Sequence, residues 1–145
     1  MKDRTKDRSA FTLVELVVVI LILGILAAVA APKMLNTSAT ATDNSLKQTL
    51  SVVRNAIELF AAENGGTLPG QSSDLDTDLA TYIRGDFPVC PIGAQNNTIA
   101  YTTGQNITGD ATPTAGWKYS TDYGEFIANS TANTASDSSI SYDQL

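Results

Sequence analysis

A run of apolar residues near the N-terminus limits what this chain can fold into more than any other feature of its sequence. Phe11–Ala31 is apolar except for Thr12 and Glu15, and Leu16–Ala31 carries no charge. As an α-helix, a run of this length would extend about 31 Å. The hydrocarbon core of a bilayer is roughly 30 Å thick. The run therefore predicts a membrane-spanning helix.

Charge is distributed unevenly on the two sides of this run. The first ten residues include Lys2, Arg4, Lys6 and Arg8. Basic residues beside a membrane helix tend to stay in the cytoplasm, so we expect a single pass with a cytoplasmic N-terminus. Residues 36–145 contain four basic and twelve acidic residues. Because an acidic domain repels phosphate backbones, we do not expect the globular part to bind nucleic acid.

Two ordinary interpretations of the apolar run compete with a specialised one. It could be a secretory signal peptide, since Ala28-Val29-Ala30 has the small-x-small form of a cleavage site. It could also be a plain membrane anchor whose Glu15 side chain reaches the membrane surface. Either way the chain would be a secreted or membrane-anchored extracytoplasmic binding module. Against both stands Glu15, because a carboxylate at the end of an apolar run is costly and usually functional.

The charged leader meets the apolar run at a short motif. The small residue Ala10 is followed by Phe11-Thr12-Leu13-Val14-Glu15. This junction resembles the prepilin cleavage and methylation motif of type IV pilins and of type II secretion pseudopilins. The family usually has Gly before the cut, where this chain has Ala10. Because alanine is also small, we still expect processing.

The resemblance implies a role for each matching residue. A prepilin peptidase would cut the Ala10–Phe11 bond and methylate the new amino group of Phe11. Glu15 would act in subunit assembly, where its carboxylate would pair with the Phe11 amine of a neighbouring subunit. Gly24 and Pro32 also match family positions. In a helix interior Gly costs about 1 kcal/mol and Pro about 3, so we expect helix flexibility at both.

The same resemblance implies a structural function. The chain would be a subunit of a type IV pilus-like or type II secretion pseudopilus filament, assembled through its N-terminal helix. Its partners would be the prepilin peptidase, other pilin or pseudopilin subunits in a homo- or hetero-filament, the inner-membrane assembly platform and the membrane. We expect it in the bacterial inner membrane first, and then in a periplasmic or cell-surface filament.

No pattern in the sequence points to catalysis, a cofactor or a metal. There is no histidine, and no glycine-rich phosphate loop occurs. The run Asp74–Asp78 begins like a calcium loop, but Leu79 stands where Gly is needed and Gly85 where Glu is needed. Cys90 has no neighbouring base, which predicts a small buried apolar residue. We therefore predict a protein that is not an enzyme.

Beyond residue 32 the sequence predicts more helix. One apolar stripe recurs at spacings of four and three: Leu46, Leu50, Val53, Ile57 and Phe60. Gly65-Gly66 supplies a left-handed stop. The run NTSATATDNS, which lies directly before this apolar stripe, is a poor helix former. We predict that the helix continues through it, with a fresh start capped by Asp43 or Ser45 as the alternative.

The remaining residues mix a short helix with strands. Asp74–Arg84 predicts a helix capped by Ser72 or Ser73. The predicted strands are Thr98–Thr103, Gly116–Ser120 and, after a turn at Gly124, Glu125–Asn129. Trp117 and Tyr119 should share the face that covers the helix.

These elements predict an α+β fold of the pilin kind. A long N-terminal helix, membrane-spanning in its first half, carries a small antiparallel sheet on its C-terminal half. Residues 1–10 would be the leader peptide, 11–32 the transmembrane and assembly helix, and 33–145 the extracytoplasmic domain. Low apolar content predicts a flexible tail over residues 129–145 or so.

Overall fold

A single long helix begins the described part of the chain. The computed structural model describes residues 11–145, apart from the side chains of residues 32, 35 and 36. Helix α1 runs Leu13–Glu63 without a break. The poor helix-forming run therefore continues the helix, as predicted, and Asp43 and Ser45 cap no fresh start.

The end of α1 follows the predicted glycine stop. Gly65 and Gly66 have φ values of 66° and 90°, in the left-handed region. The N–H of Gly66 donates to the carbonyl oxygen of Ala61 at 2.7 Å, which satisfies a carbonyl at the helix end.

The described residues divide into two compact units, the first ending at residue 37 and the second spanning residues 38–145. In the first unit, Leu13–Ala31 is long and apolar enough to cross a membrane, with a mean hydropathy of 3.1 and none of it buried. This segment lies within the run of residues 11–31 from which the sequence predicts a membrane span.

The core of the second unit forms on the predicted stripe of α1. Leu46, Leu50, Val53 and Ile57 are at most 3% exposed. They share one hydrophobic cluster with residues from the short helix and the sheet, notably Leu75, Leu79, Trp117, Tyr119 and Phe126. The prediction that Trp117 and Tyr119 cover the helix is confirmed.

Three short strands among the described residues form the sheet: β1 (Ile99–Thr102), β2 (Trp117–Ser120) and β3 (Phe126–Ala128). Their order in the sheet is β1-β2-β3. The predicted hairpin is confirmed, since β2 pairs antiparallel with β3 and Tyr119 lies opposite Phe126.

The third strand departs from the predicted antiparallel sheet. β1 pairs parallel with β2, with Ile99 opposite Trp117, so the sheet is mixed. Parallel neighbours need a crossover of about a dozen residues or more, and residues 103–116 provide it. The α+β class is confirmed, while the strand direction depends on this crossover.

The short helix is smaller than predicted. Helix α2 spans Leu75–Asp78 and continues as a 3-10 turn, Leu79–Thr81. Neither predicted serine caps it: Asp74 occupies the cap position and makes no side-chain cap hydrogen bond. Instead the hydroxyl oxygen of Tyr101 accepts the N–H of Leu75 at 3.0 Å, so a distant residue replaces the local cap.

Polar contacts tie the last residues to α1. Asn129 is 1% exposed, and a 3-10 turn covers Tyr142–Gln144. Arg54 of α1 donates to the backbone carbonyl oxygen of Leu145 at 2.6 Å. The flexible tail predicted from composition stays a prediction.

Candidate processing and assembly site

The start of α1 is built around Thr12 and Glu15. The backbone N–H and the hydroxyl of Thr12 both donate to Oε2 of Glu15, each at 2.8 Å. In return the N–H of Glu15 donates to Oγ1 of Thr12 at 3.2 Å. This reciprocal pair is a capping box, a Thr followed three residues later by Glu. The spacing of Thr12 and Glu15 is visible in the sequence and predicts this cap, which was not among the roles expected for Glu15 above.

The capping box gives Glu15 a local role. The first N–H groups of a helix lack partners inside the helix, and the helix dipole makes this end positive. The Glu15 carboxylate satisfies one such group and places negative charge where the dipole favours it. The carboxylate is thereby held on Thr12, which directly follows Phe11 and the predicted cleavage position.

The other predicted site residues lie on both sides of this cap. Ala10 and the leader lie outside the described residues. Phe11 precedes the helix and is 78% exposed. Gly24 lies inside α1, where an added Cβ would meet nothing within 4 Å. The helix also continues through residue 32, and flexibility at Gly24 and Pro32 stays a prediction.

The apolar side chains in the first part of α1 are largely exposed in the described chain. Large side chains between Leu13 and Val29 are 45% to 77% exposed. A shallow groove of about 490 Å³ lies on one side of the helix, next to Gly24 and Ala28. An apolar surface of this size marks a site of membrane or protein contact.

Charged side chains in the second unit hold loops in place. Lys118 forms an ion pair with Asp110 at 2.8 Å. Glu125 accepts the backbone N–H groups of Asn106 and Ile107, at 3.0 and 2.8 Å. These contacts fix the crossover between β1 and β2.

The calcium-like run and the cysteine have structural roles. Asp78 accepts the backbone N–H of Gly70 at 2.8 Å. Within the described residues, no group of three or more His, Cys, Asp and Glu side chains could hold a metal. Cys90 is fully buried, as predicted, and burial raises the pKa of its thiol.

Comparisons with known proteins agree with this geometry. Residues 5–31 match the family model described as the prokaryotic N-terminal methylation motif. The chain is also similar to the type IV narrow pilus major component PilA5 of Thermus thermophilus. The two are 29% identical over 109 residues, covering 63% of this chain and 94% of the relative. No solved structure matches the chain.

The chain therefore carries a prepilin-type N-terminus on a pilin-like α+β fold. Its similarity to a type IV pilin covers more residues than the motif does, so the likeness extends beyond the N-terminal helix. The pilins, to which this relative belongs and which carry this motif, are structural proteins rather than enzymes.

Proposed function

We propose that this chain is a structural subunit of a type IV pilus-like filament or a type II secretion pseudopilus. One observation carries the proposal. The methylation motif at residues 5–31 coincides with the start of an exposed apolar helix. Glu15, the one charged residue of the apolar segment Leu13–Ala31, lies at its capped end.

The comparisons favour a pilus over a secretion pseudopilus. The relative is a pilus component, and the similarity covers 94% of its length. Pilins and pseudopilins share the N-terminal motif, so a similarity confined to that motif would not favour a pilus over a pseudopilus.

Processing by a prepilin peptidase is the first step of the proposed mechanism. The enzyme cuts between Ala10 and Phe11 and methylates the Phe11 amine. Leader residues stay in the cytoplasm, the apolar helix lies in the inner membrane, and the acidic domain lies outside it. From there the assembly platform moves the subunit into the filament.

Charge neutralisation is the second step. A carboxylate in an apolar environment is costly unless it has a partner. The amine released at Phe11 of a neighbouring subunit is such a partner. Because the capping box holds Glu15 at the helix end, its carboxylate is already in place when the amine arrives. Pairing then sets the register between subunits.

The mass of the mature protein tests the proposal. In cells with an active prepilin peptidase, we expect the loss of Met1–Ala10 and the gain of one methyl group. The protein should be recovered from sheared filaments, and intact-mass spectrometry with N-terminal sequencing provides the measurement. A mature start at Ala31 would support a secreted binding module instead, and a mature form that retains the leader would count against processing.

A further inference from the structure

Asp43 is a fully buried carboxylate on α1 that the proposed assembly mechanism does not use. Its side chain is 0% exposed. The hydroxyl of Tyr142 donates to its Oδ1 at 2.8 Å, and the backbone N–H of Ser136 donates to its Oδ2 at 2.7 Å. Both carboxylate oxygens therefore have partners from the last residues of the chain.

The residues that hold Asp43 form a closed loop, residues 132–142, here named the clamp loop. The N–H of Tyr142 donates to the carbonyl oxygen of Ala132 at 2.9 Å. Inside this ring, the N–H of Thr134 donates to the carbonyl oxygen of Ile140 at 2.8 Å. The clamp loop thus has hydrogen bonds of its own, and two of its groups donate to Asp43 of α1.

Just before Asp43, the described side chains of α1 are exposed or only partly buried. Asp43 is the first buried side chain among the described residues of α1, and the next is Leu46. The hydroxyl of Thr42 donates to the carbonyl oxygen of Ser38 at 3.2 Å, a bond that slightly weakens or bends a helix. Most helical stability in proteins comes from packing of a buried face, which this stretch lacks.

We propose that Asp43 and the clamp loop set the point at which unwinding of α1 stops. Between the apolar segment and Asp43, no described side chain of α1 is buried, so this stretch of helix can unwind at small cost. Residues after Asp43 are held by the stripe that begins at Leu46. Asp43 lies at the boundary between these two stretches of α1. The clamp loop can hold its carboxylate in position only while the turn of α1 around Asp43 stays helical.

Hydrogen exchange on the full-length chain in detergent micelles tests the clamp. Tyr142→Phe removes one hydroxyl and keeps the ring. We expect amide exchange in residues 38–45 to become about tenfold to a hundredfold faster, as for the loss of a hydrogen bond to a charged group. Exchange in residues 50–57 should stay unchanged.

Tyr82→Phe is the matched control. It also removes a hydroxyl that donates to a carboxylate of α1, that of Glu63 at 2.6 Å, but at the far end of the helix. Exchange in residues 38–45 should not respond to this change. Asp43→Asn, which keeps the shape and removes the charge, should reproduce the effect of Tyr142→Phe.

Two results would contradict the proposed role of Asp43 and the clamp loop. Unchanged exchange in residues 38–45 in both Tyr142→Phe and Asp43→Asn would show that Asp43 does not support this stretch. An equal rise in residues 50–57 would make Asp43 an ordinary part of a cooperative core. Since the measurement needs no filament, its outcome is independent of the proposed function.

Discussion

At the scale of single residues, Glu15 combines two contributions that ordinary mutagenesis would confuse. Its carboxylate caps α1 through Thr12. In the proposed filament the same carboxylate pairs with an amine. The two contributions depend on different properties, because a cap needs an acceptor oxygen whereas pairing with an amine needs a negative charge.

Glutamine separates these two contributions of Glu15. A capping box accepts either Glu or Gln, so Glu15→Gln keeps the cap and removes the charge. We expect Glu15→Gln and Glu15→Ala to enter sheared filaments far less than the unchanged protein, while Glu15→Asp keeps part of the function. Membrane insertion and leader removal should persist in all three. Comparison of sheared filament with membrane pool gives the measurement.

A different pattern would assign Glu15 to the cap alone. Normal incorporation of Glu15→Gln together with poor incorporation of Glu15→Ala would contradict charge pairing. The processing prediction would survive that result, because it rests on the Ala10–Phe11 junction.

At the scale of elements, α1 contributes to the core through one face only. Leu50 is 1% exposed, whereas Val52, two residues further on, is 54% exposed. The helical period accounts for the contrast, since residues two apart point in different directions. The core of the second unit should therefore respond to changes on one face and tolerate them on the other.

Paired substitutions test this one-sided helix. Leu50→Ala should lower the free energy of unfolding by about 2–5 kcal/mol, because it removes buried methyl groups and leaves a cavity. Val52→Ala, on the exposed face, should change it by less than about 0.5 kcal/mol. Urea unfolding followed by the fluorescence of Trp117 measures both. Similar losses for the two variants would contradict the burial of the stripe.

At the scale of the whole molecule, acid should destabilise the fold through buried and bonded carboxylates. Burial acts to raise the pKa of Asp43, but hydrogen bonds from Tyr142 and Ser136 outweigh it and hold that pKa below its ordinary value. Hydrogen bonds from Lys118 and Asn129 likewise lower the pKa of Asp110. Such groups bind protons more readily in the unfolded chain than in the folded one.

The sign of the pH dependence follows from these lowered pKa values. The stabilisation is fully present above the ordinary carboxyl pKa of about 4 and is lost as the pH falls through the folded-state pKa. We expect the free energy of unfolding to be lower at pH 3 than at pH 6. Relief of repulsion among the acidic residues acts in the opposite direction, so a matched variant is needed.

Asp43→Asn supplies that matched variant. It removes one titrating group, and its unfolding free energy should therefore fall less between pH 6 and pH 3 than that of the unchanged protein. Equal losses in the two proteins would show that Asp43 titrates alike in the folded and unfolded chains.

Much of this protein follows from patterns that are local in the sequence. The apolar run, the stripe from Leu46 to Phe60, the stop at Gly65-Gly66 and the hairpin with its turn at Gly124 all depend on spacings within a few residues. Hydrophobic periodicity and turn chemistry act over such distances, so these elements could be predicted. The Thr12–Glu15 cap is equally local and could have been found from its spacing.

Other features were decided only by the tertiary structure. β1 is parallel to β2 because of a crossover held by side chains from other elements. Tyr101 takes the place of a local cap on α2. Asp43, one of the two residues that the alternative interpretation made a helix cap, instead accepts a hydrogen bond from Tyr142, ninety-nine residues further along the chain. Each of these features depends on hydrogen bonds between polar groups that are far apart in the sequence and come together only when the core is buried. No periodicity or short spacing in the sequence predicts such contacts.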